Sequence, residues 1–230
     1  MSIKLSRLVV AGKDAATLLQ GQITADIKKL AFIQQENNHQ SGLSAICNRQ
    51  GRVMAIFWAI KIDDETFHLL MPSCIAEKIQ KHLQIFIFRS KVTINLDSPS
   101  EEDLATLPKG FVIPWITAQN SEEYVAQMLS LDLLEAINFK KGCYTGQEII
   151  ARMQYLGKHK RRLALVKAKD PNDLTINATL LTEDGKDAGT IVYAEDHQAL
   201  AVIRLEHEKS PLKINNDVTL IKVWHEEETE

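Results

Sequence analysis

The stretch "FKKGCYTGQE", Phe139 to Glu148, sets one thiol between two glycines and behind two lysines. A thiolate is the reactive form of cysteine, and its pKa falls beside cations and at helix N-termini. Cys143 follows Lys140 and Lys141 directly, and a helix opening near Gly146 adds the positive end of its dipole. Gly142 and Gly146 allow left-handed or crowded backbone, which exposes a thiol or admits a ligand. The same residues read equally as a turn before a helix, with Cys143 a small buried side chain.

Other chemistries find no support. There is no G-x-x-x-x-G-K-[ST] loop, no G-x-G-x-x-G, no G-x-S-x-G and no H-E-x-x-H. The seven histidines are scattered, without a C-x-x-C near them, so no zinc site is expected. Three widely spaced cysteines, Cys47, Cys74 and Cys143, predict free thiols. A net charge of -3 argues against a dedicated nucleic-acid coat, although "KHKRR", Lys158 to Arg162, is a local cationic run. "HEEETE" reads as an acidic tail. The apolar run near the first methionine is too short for a signal peptide, and nothing approaches the ~18 apolar residues of a membrane helix, so a cytoplasmic protein is expected.

The elements that must carry the motif follow from patterning. "SRLVVAG" reads as a strand, with Asp14 capping a helix over Ala15 to Leu19. "GLSAICNRQGRVMAIFWAIKID" and "ETFHLLM" predict an antiparallel meander that stops at Pro72. "SCIAEKIQKHLQIF" reads as a helix with Ser73 as N-cap, and "KVTINLD" as a strand, which together suggest a split β-α-β layer. Residues 98–120 read as an irregular connection, "SEEYVAQMLSLDLLEAI" as a helix, and "GQEIIARMQYLG" as another helix closed by Gly157. Five short β-rich runs from Leu163 to Val223 suggest a small antiparallel barrel. The fold class is therefore α+β: a mixed sheet and helix body over residues 1–157, then a barrel domain over 158–230.

"FKKGCYTGQEIIARMQYLGKHKRRL" resembles the signature of the YgfZ family, folate-binding proteins related to the aminomethyltransferase T-protein of the glycine cleavage system. "VVAGKDAATLLQGQITADIKKL" and "ICNRQGRVMAIFWAI" resemble two further family segments. The resemblance implies the aminomethyltransferase folate-binding fold, tetrahydrofolate or a related folate as ligand, and a link to iron-sulfur cluster assembly or repair and to tRNA modification. Iron-sulfur enzymes or assembly proteins are the implied partners.

Departures from the family refine this. The centre, about 97–134, is short, and Trp115 is the nearest candidate for the family's folate-stacking tryptophan. Ala55 and Ile56 stand where the T-protein carries an acidic pair just after the glycine turn, so general acid-base help at the folate is missing. That argues against aminomethyl transfer. By the resemblance Cys143 is the functional thiol and Lys141 the cation that activates it, with Gly142 and Gly146 shaping the loop. Arg152, Gln147, Glu148, Asp26 and Trp115 are the candidate folate contacts. Glu148 and Arg152, four apart, read equally as a helix-surface pair, and Asp26 as a turn acid. Two alternatives stay open: a folate-dependent one-carbon transferase, and a module contacting tRNA or protein through "KHKRR".

Overall fold

The computed structural model describes residues 3–30, 32–33, 40–110 and 112–225, with backbone alone at 32–33. His39 and the last five residues of the expected acidic tail lie outside them.

The body is one six-stranded antiparallel sheet. Strand β1 (Leu5–Ala11) leads through helix α1 (Ala15–Gln20) to β2 (Phe32–Ile33) and the meander β3 (Gln40–Cys47), β4 (Val53–Lys61) and β5 (Thr66–Pro72). Helix α2 (Ser73–Gln84) then carries the chain to β6 (Thr93–Asp97) on the far side of β1. The spatial order is β2-β3-β4-β5-β1-β6, so β1 lies between β5 and β6 in the expected split β-α-β layer.

β4, "VMAIFWAIK", is an unbroken apolar run because both of its faces are covered. Met54, Ala55, Phe57 and Ala59 pack into the core under α1 and α2. Val53, Ile56, Trp58 and Ile60 face a second core that also takes in Tyr124, Leu129, Tyr144 and Ile150. Leu163, Val192, Tyr193, Leu200 and Val202 of the C-terminal region join that second core, so sheet and barrel share apolar packing.

The barrel is closed, in the order β10-β7-β12-β11-β8-β9. Its strands are β7 (Arg161–Ala168), β8 (Thr179–Thr182), β9 (Asp187–Glu195), β10 (Gln198–Arg204), β11 (Leu212–Lys213) and β12 (Asp217–Val223). The five expected runs are all present. The sixth strand, two residues long, is too short to leave an alternating pattern.

Four local expectations are corrected. Asp14 precedes α1 but does not cap it through its side chain, since Oδ2 instead accepts from the Lys91 amide. Ser73 is the first residue of α2, and its hydroxyl accepts from that of Ser6. The connection after β6 contains a short helix α3 (Glu101–Ala105), opened by a capping box between Ser100 and Asp103. The helix expected over Ser121 to Ile137 is absent. Glu122 and Tyr124 instead pair with Val53 through their backbones, and Ser130, at φ 48°, ends a single 3-10 turn over Ala126–Leu129. Tertiary pairing overrides helix propensity there. The Ser130 hydroxyl donates to the Trp224 carbonyl and accepts from the Leu163 amide, stitching this segment to the barrel.

Candidate functional site around the Cys143 loop

The loop before helix α4 (Gln147–Leu156) is tied down along the segment that follows α1. The Asn138 amide donates to the Thr24 carbonyl at 2.9 Å, and the Thr145 amide to the Gly21 carbonyl at 3.2 Å. Thr145 Oγ1 donates to Gln22 Oε1 at 3.2 Å. Lys141 Nζ donates to the carbonyls of Ile23 and Ala25, each at 2.8 Å, and lies 5.1 Å from the centre of the Tyr144 ring. Burial lowers its pKa to about 8, with the charge of Asp26 partly opposing the fall. The ammonium expected to activate the thiol is therefore held by backbone oxygens.

Cys143 itself is exposed, between the inward anchor Lys141 and the buried Tyr144. Cys47, by contrast, is wholly buried in the core beneath, and burial pushes its thiol up to about 12. Tyr144, which packs into that core, has its hydroxyl driven well above the usual range by the same desolvation. Of the two glycines, Gly146 is the one the loop requires. Its φ is +84°, and a β-carbon there would meet the Asn48 carbonyl at 2.6 Å. Gly142 has open space around it and no positive φ.

The candidate ligand contacts do not share one cavity. Gly146, Gln147 and Glu148 line a cleft of about 750 Å³, formed with the β3–β4 turn and the end of α2. Asp26 lines a separate, smaller cleft of about 360 Å³ with Phe139 and Lys140. Trp115 is buried and borders a third, between the N-terminal strand and Tyr193. Arg152 is exposed on α4, and among the described residues no ion pair joins it to Glu148. Ala55 and Ile56 are fully buried in β4. Of the "KHKRR" run, Arg162 is structural: its Nη1 donates to both carboxylate oxygens of Asp132 and to the Gln127 carbonyl.

The smaller cleft is lined by the Phe139 ring, by the carboxylates Asp26 and Glu135, and by Lys29 and Lys140, so it brings an aromatic group together with charges of both signs. Asp26 is positioned by the Gln20 amide and the Lys28 N–H, both on Oδ1. Sequence reasoning passed over Thr24, whose hydroxyl donates to the Ala136 carbonyl and accepts from the Ala45 amide, joining loop to sheet. It also passed over Glu122, held by Lys78 and Asn48 beside the larger cleft. Neither has a local sequence signal, because each acts across long chain separations. Among the described residues no group of three His, Cys, Asp or Glu side chains could hold a metal ion. None of the helices there is long and apolar enough to cross a membrane.

Comparison with known proteins agrees with this architecture. Residues 160–226 match the family model of the CAF17 C-terminal beta-barrel domain. An uncharacterized protein of Haemophilus influenzae is 27% identical over 231 residues, covering 80% of each chain. The tRNA-modifying protein YgfZ of Colwellia psychrerythraea is 28% identical, over 67% of this chain and 66% of its own. The glycine cleavage system aminomethyltransferase T of Bartonella henselae superposes with a TM-score of 0.64 at 11% identity, over 94% of this chain and 82% of that one. The resemblance to the YgfZ family is borne out, and so is the aminomethyltransferase-like fold with its C-terminal barrel.

Proposed function

We propose that this chain is a YgfZ-type accessory protein of tRNA modification that binds a reduced folate in the cleft of Asp26, Phe139 and Lys140 and presents the Cys143 thiol beside it. The observation that carries the reading is the division of one short loop. Phe139 and Lys140 line the cleft, Lys141 and Tyr144 anchor the loop inward, and Cys143 between them is exposed. A bound folate supplies a carrier for one-carbon units. This chain's residues bind and orient it: the ring against Phe139, its donor edge toward Asp26, its glutamate toward Lys29 and Lys140.

With Ala55 and Ile56 in place of an acidic pair, no carboxylate on that strand assists chemistry at the folate nitrogen. That favours maintenance of an iron-sulfur enzyme in the cytoplasm over aminomethyl transfer. An exposed thiolate is a soft ligand suited to transient contact with iron or a cluster, although one cysteine does not hold a cluster alone. Contact with tRNA through "KHKRR" is the weaker reading, since Arg162 is already taken up by Asp132.

The test is a Cys143→Ala variant in a strain whose iron-sulfur enzymes depend on this chain. Loss of tRNA thiomethylation at unchanged protein stability is expected. Full rescue by that variant would remove the thiol from the function.

A further inference from the structure

Helix α4 gives little of its apolar content to the core. Of its ten residues, "QEIIARMQYL", only Ile150 is buried, and the helix is held down there by the Gln127 side-chain amide, which donates to the Ile150 carbonyl at 2.7 Å. Tyr155 and Leu156 end the helix at 71% and 81% exposed. Large apolar side chains exposed next to one another mark contact surfaces, and tyrosine and arginine are enriched among the anchors of such surfaces. Tyr155 is already placed, because its ring meets that of Phe139 edge-on with 6.1 Å between centres. Phe139 also lines the smaller cleft and opens the loop that carries Cys143, so the end of α4 adjoins both the cleft proposed for the folate and the loop that presents the thiol.

Charge frames these anchors. Arg152 is exposed one turn before Leu156 on the same side of the helix, and Lys158 and Lys160 are exposed on the chain leading to β7. Among the described residues none of these three cations forms an ion pair. Glu148, about two turns back from Leu156, is the one carboxylate of the helix. An apolar centre inside an unpaired cationic rim, on a chain whose net charge is -3, has the anatomy of a protein interface and calls for an acidic counterpart.

Other occupants fit less well. Nucleic-acid bases stack on ring faces, and the most exposed anchor, Leu156, is aliphatic. A helix lying in a membrane surface needs an apolar face along its length, which Glu148 and Arg152 interrupt here. A second copy related by a two-fold axis would set Arg152, Lys158 and Lys160 against their own equivalents.

We propose that the end of α4 and the segment leading to β7 form the docking surface for the client enzyme of the accessory role above, an assignment that rests on that role, and that the client meets it with an acidic patch around an apolar pocket. Tyr155 and Leu156 fill the pocket, and Arg152, Lys158 and Lys160 pair across the rim. A client seated there reaches the Cys143 loop and the folate cleft from one side.

The test uses the full chain in a strain whose tRNA thiomethylation depends on it. One form carries the photo-crosslinking residue p-benzoylphenylalanine at position 156, alone or together with Lys158→Glu and Lys160→Glu. Two further forms carry Leu156→Asp alone, or Lys158→Glu with Lys160→Glu. An RNase-resistant adduct to an iron-sulfur enzyme, mapped by mass spectrometry to an acidic segment of that enzyme, is expected, and the double charge reversal should abolish it. Leu156→Asp and the double reversal should each lower thiomethylation about tenfold or more, with 5-formyltetrahydrofolate affinity and melting temperature unchanged, because the altered side chains are exposed. No adduct, an RNase-sensitive adduct, an adduct to a second copy of the chain or to a protein without a cluster, an adduct that survives the charge reversal, or full thiomethylation by both variants overturns the surface. Absence of folate binding by wild type, or full rescue by Cys143→Ala, counts against the accessory role as proposed, whereas the mapped adduct and its loss on charge reversal judge this surface separately.

Discussion

Gly146 of the Cys143 loop and Gly51 of the β3–β4 turn lock together at positive φ, +84° and +70°, and a β-carbon on Gly146 would stand 3.2 Å from the Gly51 Cα. The turn and the loop approach backbone to backbone, which fixes where Cys143 emerges. Gly146→Ala therefore adds left-handed strain and a clash with the Asn48 carbonyl, and should destabilise by about 2 kcal/mol or more. Gly142→Ala, with nothing near its missing β-carbon, should change stability little. Thermal melts of the two variants check this, and equal losses would contradict the interlock.

The Asp132–Arg162 pair is buried on both sides, with side chains 2% exposed each. Removing one partner leaves a buried charge uncompensated, so Arg162→Ala should cost about 3–5 kcal/mol and lower the melting temperature by roughly 10 °C. The double change Asp132→Leu with Arg162→Met should recover much of that. If both single variants melted near wild type, the link between the Ser130 segment and the barrel would be misassigned.

Asp103, 4% exposed, caps α3 and binds the sheet through Arg7 and His68, each at 2.7 Å. Burial opposes its ionisation, but the hydrogen bonds from His68, Ser100 and Arg7 outweigh it and hold the carboxyl at about 2. A folded pKa below the unfolded value contributes stability above pH ~4 that is lost as pH falls toward 2, on the order of 2 kcal/mol. Asp103→Asn should be less stable at neutral pH and should flatten that acid limb. Identical acid profiles in the two proteins would contradict it.

Thiol access is the fourth expectation. Cys143 and Cys74 are exposed, whereas Cys47 is buried with its pKa pushed up to about 12. Iodoacetamide should therefore label Cys143 and Cys74 in the native protein, and Cys47 only after denaturation. Mass spectrometry distinguishes the cases, and native labelling of Cys47 would mean that the core beneath the loop opens.

Much of the fold was legible because its elements are locally consistent. The meander, α2, α4 and five barrel strands announce themselves by period and turn residues. The segment from Ser121 to Ile137 did not, because its apolar spacing suits a helix while its backbone groups are claimed by Val53 and its Ser130 hydroxyl by the barrel. The site was legible as a motif and not as an arrangement. "FKKGCYTGQE" identified the loop, but only the fold separates Phe139 and Lys140, facing one cleft, from Gly146 to Glu148, facing another. The anchoring of Lys141 was hidden for the same reason: proximity in sequence to Cys143 says nothing of the carbonyls of Ile23 and Ala25 that hold it.

The most direct test is a titration of the full chain with 5-formyltetrahydrofolate, followed by calorimetry, comparing wild type with Asp26→Asn, Phe139→Ala and Cys143→Ala. Saturable binding is expected in wild type and in Cys143→Ala, with about tenfold weaker binding in each of the other two. Binding that survives both Asp26→Asn and Phe139→Ala unchanged, or no binding to wild type at all, would contradict a folate cleft beside the Cys143 loop.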